Sequence, residues 1–134
     1  MKILIAEDDF ACRKFLYKFL SSYGECDITI DGAEAIEAYM MALDEKEPYD
    51  LICLDIMMPK VDGKKVLKTI RDIEKQKEIK EAEKVKIIMT TALNDKTNVF
   101  DSFEDGCEAY AAKPIDTDKF IQVMERLGLK NEKR

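Results

Sequence analysis

The sequence predicts an α/β domain in which a sheet of five parallel strands is covered by helices on both faces. Short apolar runs of strand length alternate with longer segments of helical periodicity, an order typical of parallel sheets with crossover helices. Several of these runs are apolar on consecutive residues, as strands buried on both faces require. The five runs are Lys2–Ala6, Cys26–Ile30, Leu51–Leu54, Lys86–Thr90 and Ala109–Ala112.

Apolar stripes at helical spacing predict the helices and, most simply, the faces that pack on the core. The last helix begins near Asp116-Thr117, where either side chain can cap free backbone amides, and Gly128 ends it. The stretch Arg71–Lys86 is dense in Lys and Glu and predicts a solvated helix extension. The stripes are Leu16, Phe19, Leu20 and Tyr23; Ile36, Tyr39, Met40 and Leu43; Val66, Leu67, Ile70 and Ile73; and Phe120, Ile121, Met124 and Leu127.

The length of 134 residues fits a single domain, for which we expect the bounds 1–128, followed by a polar tail at 129–134. No apolar run approaches the ~20 residues that cross a bilayer, and the first residues lack a signal-peptide pattern. We therefore expect a cytoplasmic protein that does not contact the membrane. The four cysteines are scattered without a Cys-x-x-Cys pair, which favours reduced thiols over a zinc or redox site.

Charge and the missing histidines narrow the chemistry. A formal net charge of −6 argues against direct nucleic-acid binding, which usually needs a basic patch. The chain has no histidine, which removes His-based acid/base catalysis, His-ligated metals and phosphohistidine on this chain. Any reaction must use carboxylates, hydroxyls or lysine.

Polar residues follow the predicted strands where a site would form. In an open parallel sheet, ligands bind at the carboxyl ends of the strands near the point where the strand order reverses. If the first, third and fourth strands are neighbours, the side chains at these ends converge on one pocket. They are Glu7-Asp8-Asp9 after the first strand, Asp55 after the third, Thr90-Thr91 after the fourth and Lys113-Pro114 after the fifth.

Carboxylates gathered at short range repel one another, so holding them ionised needs a cation. Mg²⁺, or Mn²⁺ in its place, prefers oxygen ligands and commonly binds through one or two carboxylates together with phosphate oxygens. We expect Asp9 and Asp55 to be direct ligands and Asp8 to act through a bound water.

The remaining groups suit phosphoryl transfer. Lys113 offers a mobile positive charge and Thr91 a hydroxyl, so that with the metal they cover the three equatorial oxygens of a transferring phosphoryl group. Asp55 is then the nucleophile that forms an aspartyl phosphate. Taken singly, Asp8 or Asp9 could cap a helix and Thr91 could end a strand, but their order and placement favour one site.

Four motifs occur in register over nearly the whole chain, and together they closely resemble the receiver domains of response regulators, the fold of the chemotaxis regulator. The resemblance implies a flavodoxin-like, doubly wound sheet with strand order 2-1-3-4-5. The motifs are Asp8-Asp9 after Ile3–Glu7; Leu54–Pro59 followed by Asp62-Gly63; Met89–Ala92; and Tyr110–Pro114.

The resemblance also implies roles for individual residues, and a cis peptide bond before Pro114 that directs Lys113 into the pocket. Apolar side chains at Met57 and Leu93 cannot orient a hydrolytic water, which predicts slow self-dephosphorylation. The implied roles are phosphoacceptor for Asp55, metal-binding pair for Asp8 and Asp9, metal-binding backbone carbonyl for Met57, phosphoryl contact for Lys113, switch hydroxyl for Thr91 and aromatic switch for Tyr110.

By the same resemblance, the chain is a signalling domain rather than an enzyme acting on outside substrates. It would take a phosphoryl group from a sensor histidine kinase onto Asp55 in a Mg²⁺-dependent reaction. The surface offered to an output protein would then change; this surface comprises the fifth strand, the last helix and the preceding helix, where Val99 and Phe103 lie one turn apart.

Three other functions would place different requirements on the same residues. A phosphorelay intermediate would pass the phosphoryl group on to a histidine of another protein. A phosphatase with an aspartyl nucleophile would want an acid two residues after Asp55, where Met57 stands. A flavin-binding module would want a phosphate-binding loop after the first strand, where the acids Glu7 to Asp9 would repel a phosphate.

Overall fold

The computed structural model describes residues 1–92 and 106–130. Its five strands form one parallel sheet in the order β2-β1-β3-β4-β5, so the predicted fold class and strand order are confirmed. Val99 and Phe103, expected at the output surface, and Leu93, expected beside the pocket, lie outside the described residues. The strands are β1 Lys2–Ala6, β2 Glu25–Thr29, β3 Leu51–Asp55, β4 Lys86–Ala92 and β5 Ala109–Lys113.

Helices cover both faces of the sheet. Residues of α1 and α4 pack on one face and residues of α2 and α3 on the other. None of the helices in the described part of the chain has the length and apolar character needed to cross a membrane. The helices are α1 Phe10–Leu20, α2 Gly32–Asp44, α3 Gly63–Gln76, a short 3-10 helix at Glu81–Glu83, and α4 Thr117–Arg126.

The two central strands show why their apolar runs are continuous. Ile3 and Ile5 of β1 pack with the α1 and α4 side, whereas Leu4 packs with the α2 and α3 side, because successive strand residues point to opposite faces. Ile52 and Cys53 of β3 divide in the same way. A strand covered on both faces therefore has no solvent side on which a polar residue could alternate.

The buried face of α2 differs from the predicted stripe. Tyr39 is buried as expected, but Met40 is 45% exposed, and Ala35 and Ala42 occupy the core-facing positions. The small side chains of the two alanines allow this helix to lie close to the sheet. Close packing therefore decides which face of the helix is buried, and the larger Met40 is left outside. The prediction for Met40 was wrong for that reason.

The C-terminal helix α4 begins and ends as the sequence indicates. The Asp116 carboxylate accepts a hydrogen bond from the backbone N–H of Lys119, and Gly128 follows the helix with φ of +79°, a conformation that glycine adopts at low cost. Leu129 is buried in the core under α1 and α4, so packing extends one residue past the predicted boundary at 128.

The stretch Arg71–Lys86 is not a solvated helix extension. Helix α3 ends at Gln76, and Glu78 reverses the chain with φ of +54° before the 3-10 helix. Within the stretch, the Glu74 side chain is buried and that of Arg71 is nearly so. Two of its charges therefore belong to the interior, which a count of charged residues could not reveal.

Arg71 and Glu74 form part of a buried ion-pair network at the edge where the strands begin. The guanidinium of Arg71 lies 2.7 Å from Glu74 Oε1 and 2.8 Å from Glu108 Oε1, and it donates to the Val85 carbonyl. The two carboxylates in turn accept backbone N–H groups of Val85 and Ile87 at 3.0 and 2.6 Å. Helix α3 is thereby tied to the first residues of β4 and β5.

Replacing Arg71 with Leu should lower the free energy of unfolding by about 3–5 kcal/mol, because Glu74 would be left as a buried, uncompensated charge. Urea denaturation followed by circular dichroism measures the loss. Lys68→Leu is the matched control: it removes the same charge from the exposed side of α3 and should change stability by less than about 0.5 kcal/mol. Equal losses in the two variants would contradict a buried role for Arg71.

Candidate functional site

The carboxyl ends of β1, β3 and β5 bring three acids and one lysine together. Carboxylate oxygens of Glu7, Asp8 and Asp55 all lie within 4.8 Å of one another. The Lys113 ammonium lies 2.7 Å from Glu7 Oε1 and 3.3 Å from Asp55 Oδ2. The cluster forms because β1, β3, β4 and β5 are successive neighbours in the sheet, so the adjacency of the first, third and fourth strands that the predicted pocket requires is present.

Asp9 lies outside this cluster. Its side chain is exposed and caps α1, accepting a hydrogen bond of 2.9 Å from the backbone N–H of Cys12. The third carboxylate of the cluster comes from Glu7, whose side chain is buried at the end of β1. The carboxylates that the fold brings together are thus those of Glu7, Asp8 and Asp55, and the expected ligand Asp9 is not among them. Asp9 stands directly before the first helical residue, and this capping position was the signal that could have excluded it.

Burial and like charge set the ionisation of the cluster. Asp55 is 4% exposed, and burial, followed by its hydrogen bond and repulsion with Glu7, raises its pKa to about 7. Burial also opposes ionisation of Glu7, but hydrogen bonds with Asp55 and Lys113 outweigh it and lower the Glu7 pKa. Burial likewise opposes the charge on Lys113, but Glu7 and Asp55 overcome it and raise the Lys113 pKa. One ammonium thus faces more negative charge than it can neutralise.

The loop after β3 is held tightly against the end of that strand. The backbone N–H of Gly63 donates to the Ile56 carbonyl at 2.8 Å, and a Cβ at Gly63 would lie 2.1 Å from the Asp55 carbonyl oxygen. Only a glycine fits so close a contact. The Asp62-Gly63 motif therefore fixes the start of α3 beside Asp55, with Asp62 capping the helix through the N–H of Lys65.

The structure also describes the surroundings of the other predicted site residues. Thr91 is buried near the end of β4, where it pairs with Ala112 of β5. Met57 lies directly beside Asp55: its side chain is 68% exposed, and its backbone N–H donates to Asp55 Oδ1 at 3.2 Å. Tyr110 of β5 is 44% exposed and does not lie in the core. The Lys113-Pro114 bond is cis, as the resemblance implied.

The donor set fits a hard divalent cation. Three carboxylates at this spacing provide oxygen ligands only, and the protonated Lys113 ammonium beside them cannot itself ligate a metal. Mg²⁺ binds such oxygen sets and keeps several waters. Burial first, and then Glu7, raise the pKa of Asp55, and an added cation would offset the part that is due to Glu7.

Comparison with protein families identifies the class of protein. The model of the response regulator receiver domain matches residues 3–125, which is most of the chain. The chain therefore belongs to the response regulator receiver domain family, and it is a signalling domain of two-component systems.

Individual relatives agree with this assignment. The chain is 39% identical over 115 residues to a "Probable transcriptional regulator ycf27" of Galdieria sulphuraria, an alignment covering 85% of this chain and 40% of that protein. It is 31% identical over 128 residues to hybrid signal transduction histidine kinase L of Dictyostelium discoideum, covering 95% of this chain and 7% of that protein. The chain thus spans a minor part of both relatives.

A solved structure resembles the chain over almost its full length. The complex of CheX and CheY with BeF₃ and Mg²⁺ from Borrelia burgdorferi matches it with a TM-score of 0.79 and 29% identity, covering 97% of this chain and 90% of that one. The fold of the described residues is accordingly that of a receiver domain.

Asp55→Asn should raise the free energy of unfolding by about 1–3 kcal/mol at pH 8 without divalent cations, because it removes a buried charge repelled by Glu7. The folded-state pKa of Asp55 is raised to about 7, so stability falls as the pH rises from the unfolded pKa of about 4 to that value, and the full cost is present above it. The gain should shrink toward pH 5, where Asp55 itself is protonated. Urea denaturation at both pH values provides the measurement.

Asp72→Asn serves as the control, since Asp72 is exposed on α3; its stability should change by less than about 0.5 kcal/mol at either pH. An Asp55→Asn variant no more stable than the unmodified chain at pH 8 would contradict the repulsion.

Proposed function

We propose that this chain is a phosphoacceptor switch that takes a phosphoryl group from a phosphohistidine of a sensor kinase onto Asp55, with Mg²⁺ or Mn²⁺ as cofactor, in the cytoplasm. One observation carries the proposal: Asp55 is buried at the end of β3, with Lys113 Nζ at 3.3 Å and two further carboxylates within 4.8 Å. An aspartate with a purely structural role does not require a lysine and two further carboxylates beside it. A nucleophile at a phosphoryl-transfer site does, because these groups bind the phosphoryl oxygens and the metal.

In the proposed reaction, a carboxylate oxygen of Asp55 attacks phosphorus and forms the P–O bond of an acyl phosphate. The P–N bond to the donor imidazole breaks, and its electron pair leaves with that ring. Lys113 neutralises one phosphoryl oxygen, and the Thr91 hydroxyl contacts another as the group settles. Glu7, Asp8 and Asp55 would hold the cation, with the Met57 carbonyl as a further ligand, and the cation supplies charge neutralisation at the transferring group.

Phosphorylation would signal to a partner by shifting the equilibrium between two conformations of the domain. Movement of Thr91 toward the phosphoryl group would vacate space near β5, and Tyr110 would turn inward to fill it. Its present exposure of 44% on β5 leaves room for that change. A partner that recognises the surface of β5 and α4 would then bind the two states with different affinity.

Two alternatives lead to different experiments. The likeness to hybrid signal transduction histidine kinase L, at 31% identity, favours a phosphorelay intermediate as the second candidate; transfer of label from Asp55 to a histidine phosphotransfer protein would identify it. A phosphatase acting on outside substrates is disfavoured, since Met57 replaces the acid that would protonate a leaving group. Turnover of a small phosphomonoester by this chain would support the phosphatase function.

Incorporation of label from a small acyl phosphate tests the proposal. Asp55→Asn should abolish incorporation, and Asp8→Asn should reduce it at least tenfold at limiting Mg²⁺, since each ligand lost weakens a site of few ligands. Asp9→Asn is the matched control: asparagine caps a helix about as well as aspartate, so incorporation and Mg²⁺ requirement should stay within about twofold.

Labelling of Asp55→Asn at the rate of the unmodified chain would overturn the proposal itself. A loss in Asp9→Asn as large as in Asp8→Asn would instead return Asp9 to the metal site in place of Glu7.

The switch is tested with Mg²⁺ and beryllofluoride, which mimics an acyl phosphate, on a chain carrying fluorotyrosine. The ¹⁹F resonance of Tyr110, identified by its loss in Tyr110→Phe, should shift and become less accessible to a soluble paramagnetic probe. Tyr17, 45% exposed on α1, is a matched internal control and should keep its accessibility. An unchanged Tyr110 resonance at saturating beryllofluoride would count against the switch.

A further inference from the structure

An open cleft of about 440 Å³ adjoins the cluster on the side of the loop after β3. Asp8, Met57, Asp62 and Lys64 are among the residues that line it. Lys113 does not line this cleft; it lies against Glu7 and Asp55. Lys64 is therefore a second lysine that shares a cleft with Asp8 of the acidic cluster, and the proposed chemistry has not yet used it.

The position of Lys64 is set by the loop rather than by the needs of its helix. It is the second residue of α3, and the first turn of this helix contains no acid. A positive charge near a helix N-terminus is generally unfavourable, so the helix dipole does not account for a lysine at this position. Gly63, packed against the Asp55 carbonyl, places it at the cleft, and its side chain is half-buried whereas that of Lys65 is exposed.

A charge at this place acts on anything that enters the cleft. Phosphodonors are anions, and the carboxylates of Glu7, Asp8 and Asp55 repel them. A lysine is a mobile point charge with three donors, and a charged wall of a cleft raises the local concentration of ions of opposite sign. Lys64 thus offsets the repulsion on the approach side, as Lys113 does on the other.

We propose that Lys64 positions the anionic phosphodonor in this cleft and that its charge at the same time weakens binding of the divalent cation at Glu7, Asp8 and Asp55. The inference rests on the proposed function. Removing the charge of Lys64 should therefore weaken binding of the anionic phosphodonor and strengthen binding of the divalent cation.

The test compares Lys64→Gln with Lys65→Gln, which removes the same charge from the exposed neighbouring residue. In Lys64→Gln, the KM for acetyl phosphate should rise about threefold to tenfold with kcat within twofold, because approach and not chemistry is affected. The dissociation constant of Mg²⁺, measured by titration calorimetry without phosphodonor, should fall about twofold to fivefold. Lys65→Gln should change both constants by less than twofold, and Lys64→Arg should restore both.

Equal effects in Lys64→Gln and Lys65→Gln, or a loss of kcat with KM unchanged, would overturn the inference. Far-ultraviolet circular dichroism of each variant excludes unfolding as the cause of a loss. If the unmodified chain takes no label from acetyl phosphate, the proposed function fails, and a Mg²⁺ dissociation constant unchanged in Lys64→Gln would refute the role of Lys64 separately.

Discussion

The ammonium of Lys113 between the carboxylates of Glu7 and Asp55, at 2.7 and 3.3 Å, is the interaction around which the site is arranged. Three strands must end at the same level for it to form, so it reports on the register of the whole sheet. It also leaves the cluster short of positive charge, because the Lys113 ammonium faces three acids. That deficit favours binding of a divalent ion, on which the proposed phosphoryl transfer depends.

Two opposite edges of the sheet serve different purposes. At the carboxyl edge, like charges lie close together and the pKa of Asp55 is raised to about 7, an arrangement that costs stability and permits chemistry. At the other edge, Arg71 is paired with Glu74 and Glu108, and each of these carboxylates also accepts a backbone N–H group. The second network fixes α3 to β4 and β5, and it holds in place the helix whose first turn borders the site.

The distinction between Asp8 and Asp9 illustrates how local geometry assigns chemistry. Both are exposed acids in consecutive positions, and composition cannot separate them. Once α1 begins at Phe10, Asp9 is its capping residue and its carboxylate is engaged by the N–H of Cys12. Glu7, in contrast, ends a buried strand and is carried into the cluster by it. The choice of metal ligands in the proposed function thus depends on where α1 begins, because its start at Phe10 makes Asp9 the capping residue.

The sequence by itself determined the five strands, the strand order through the resemblance, the capping of α4 and the grouping of Asp8, Asp55 and Lys113, because periodicity and strand-end position act over short distances. Only the tertiary structure decided the exposure of Met40, the burial of Arg71 and Glu74, the inclusion of Glu7 and the place of Lys64 in the cleft. Each of these depends on which element lies opposite. Contacts between residues distant in the chain, such as Arg71 with Glu108, leave no periodic trace in a single sequence.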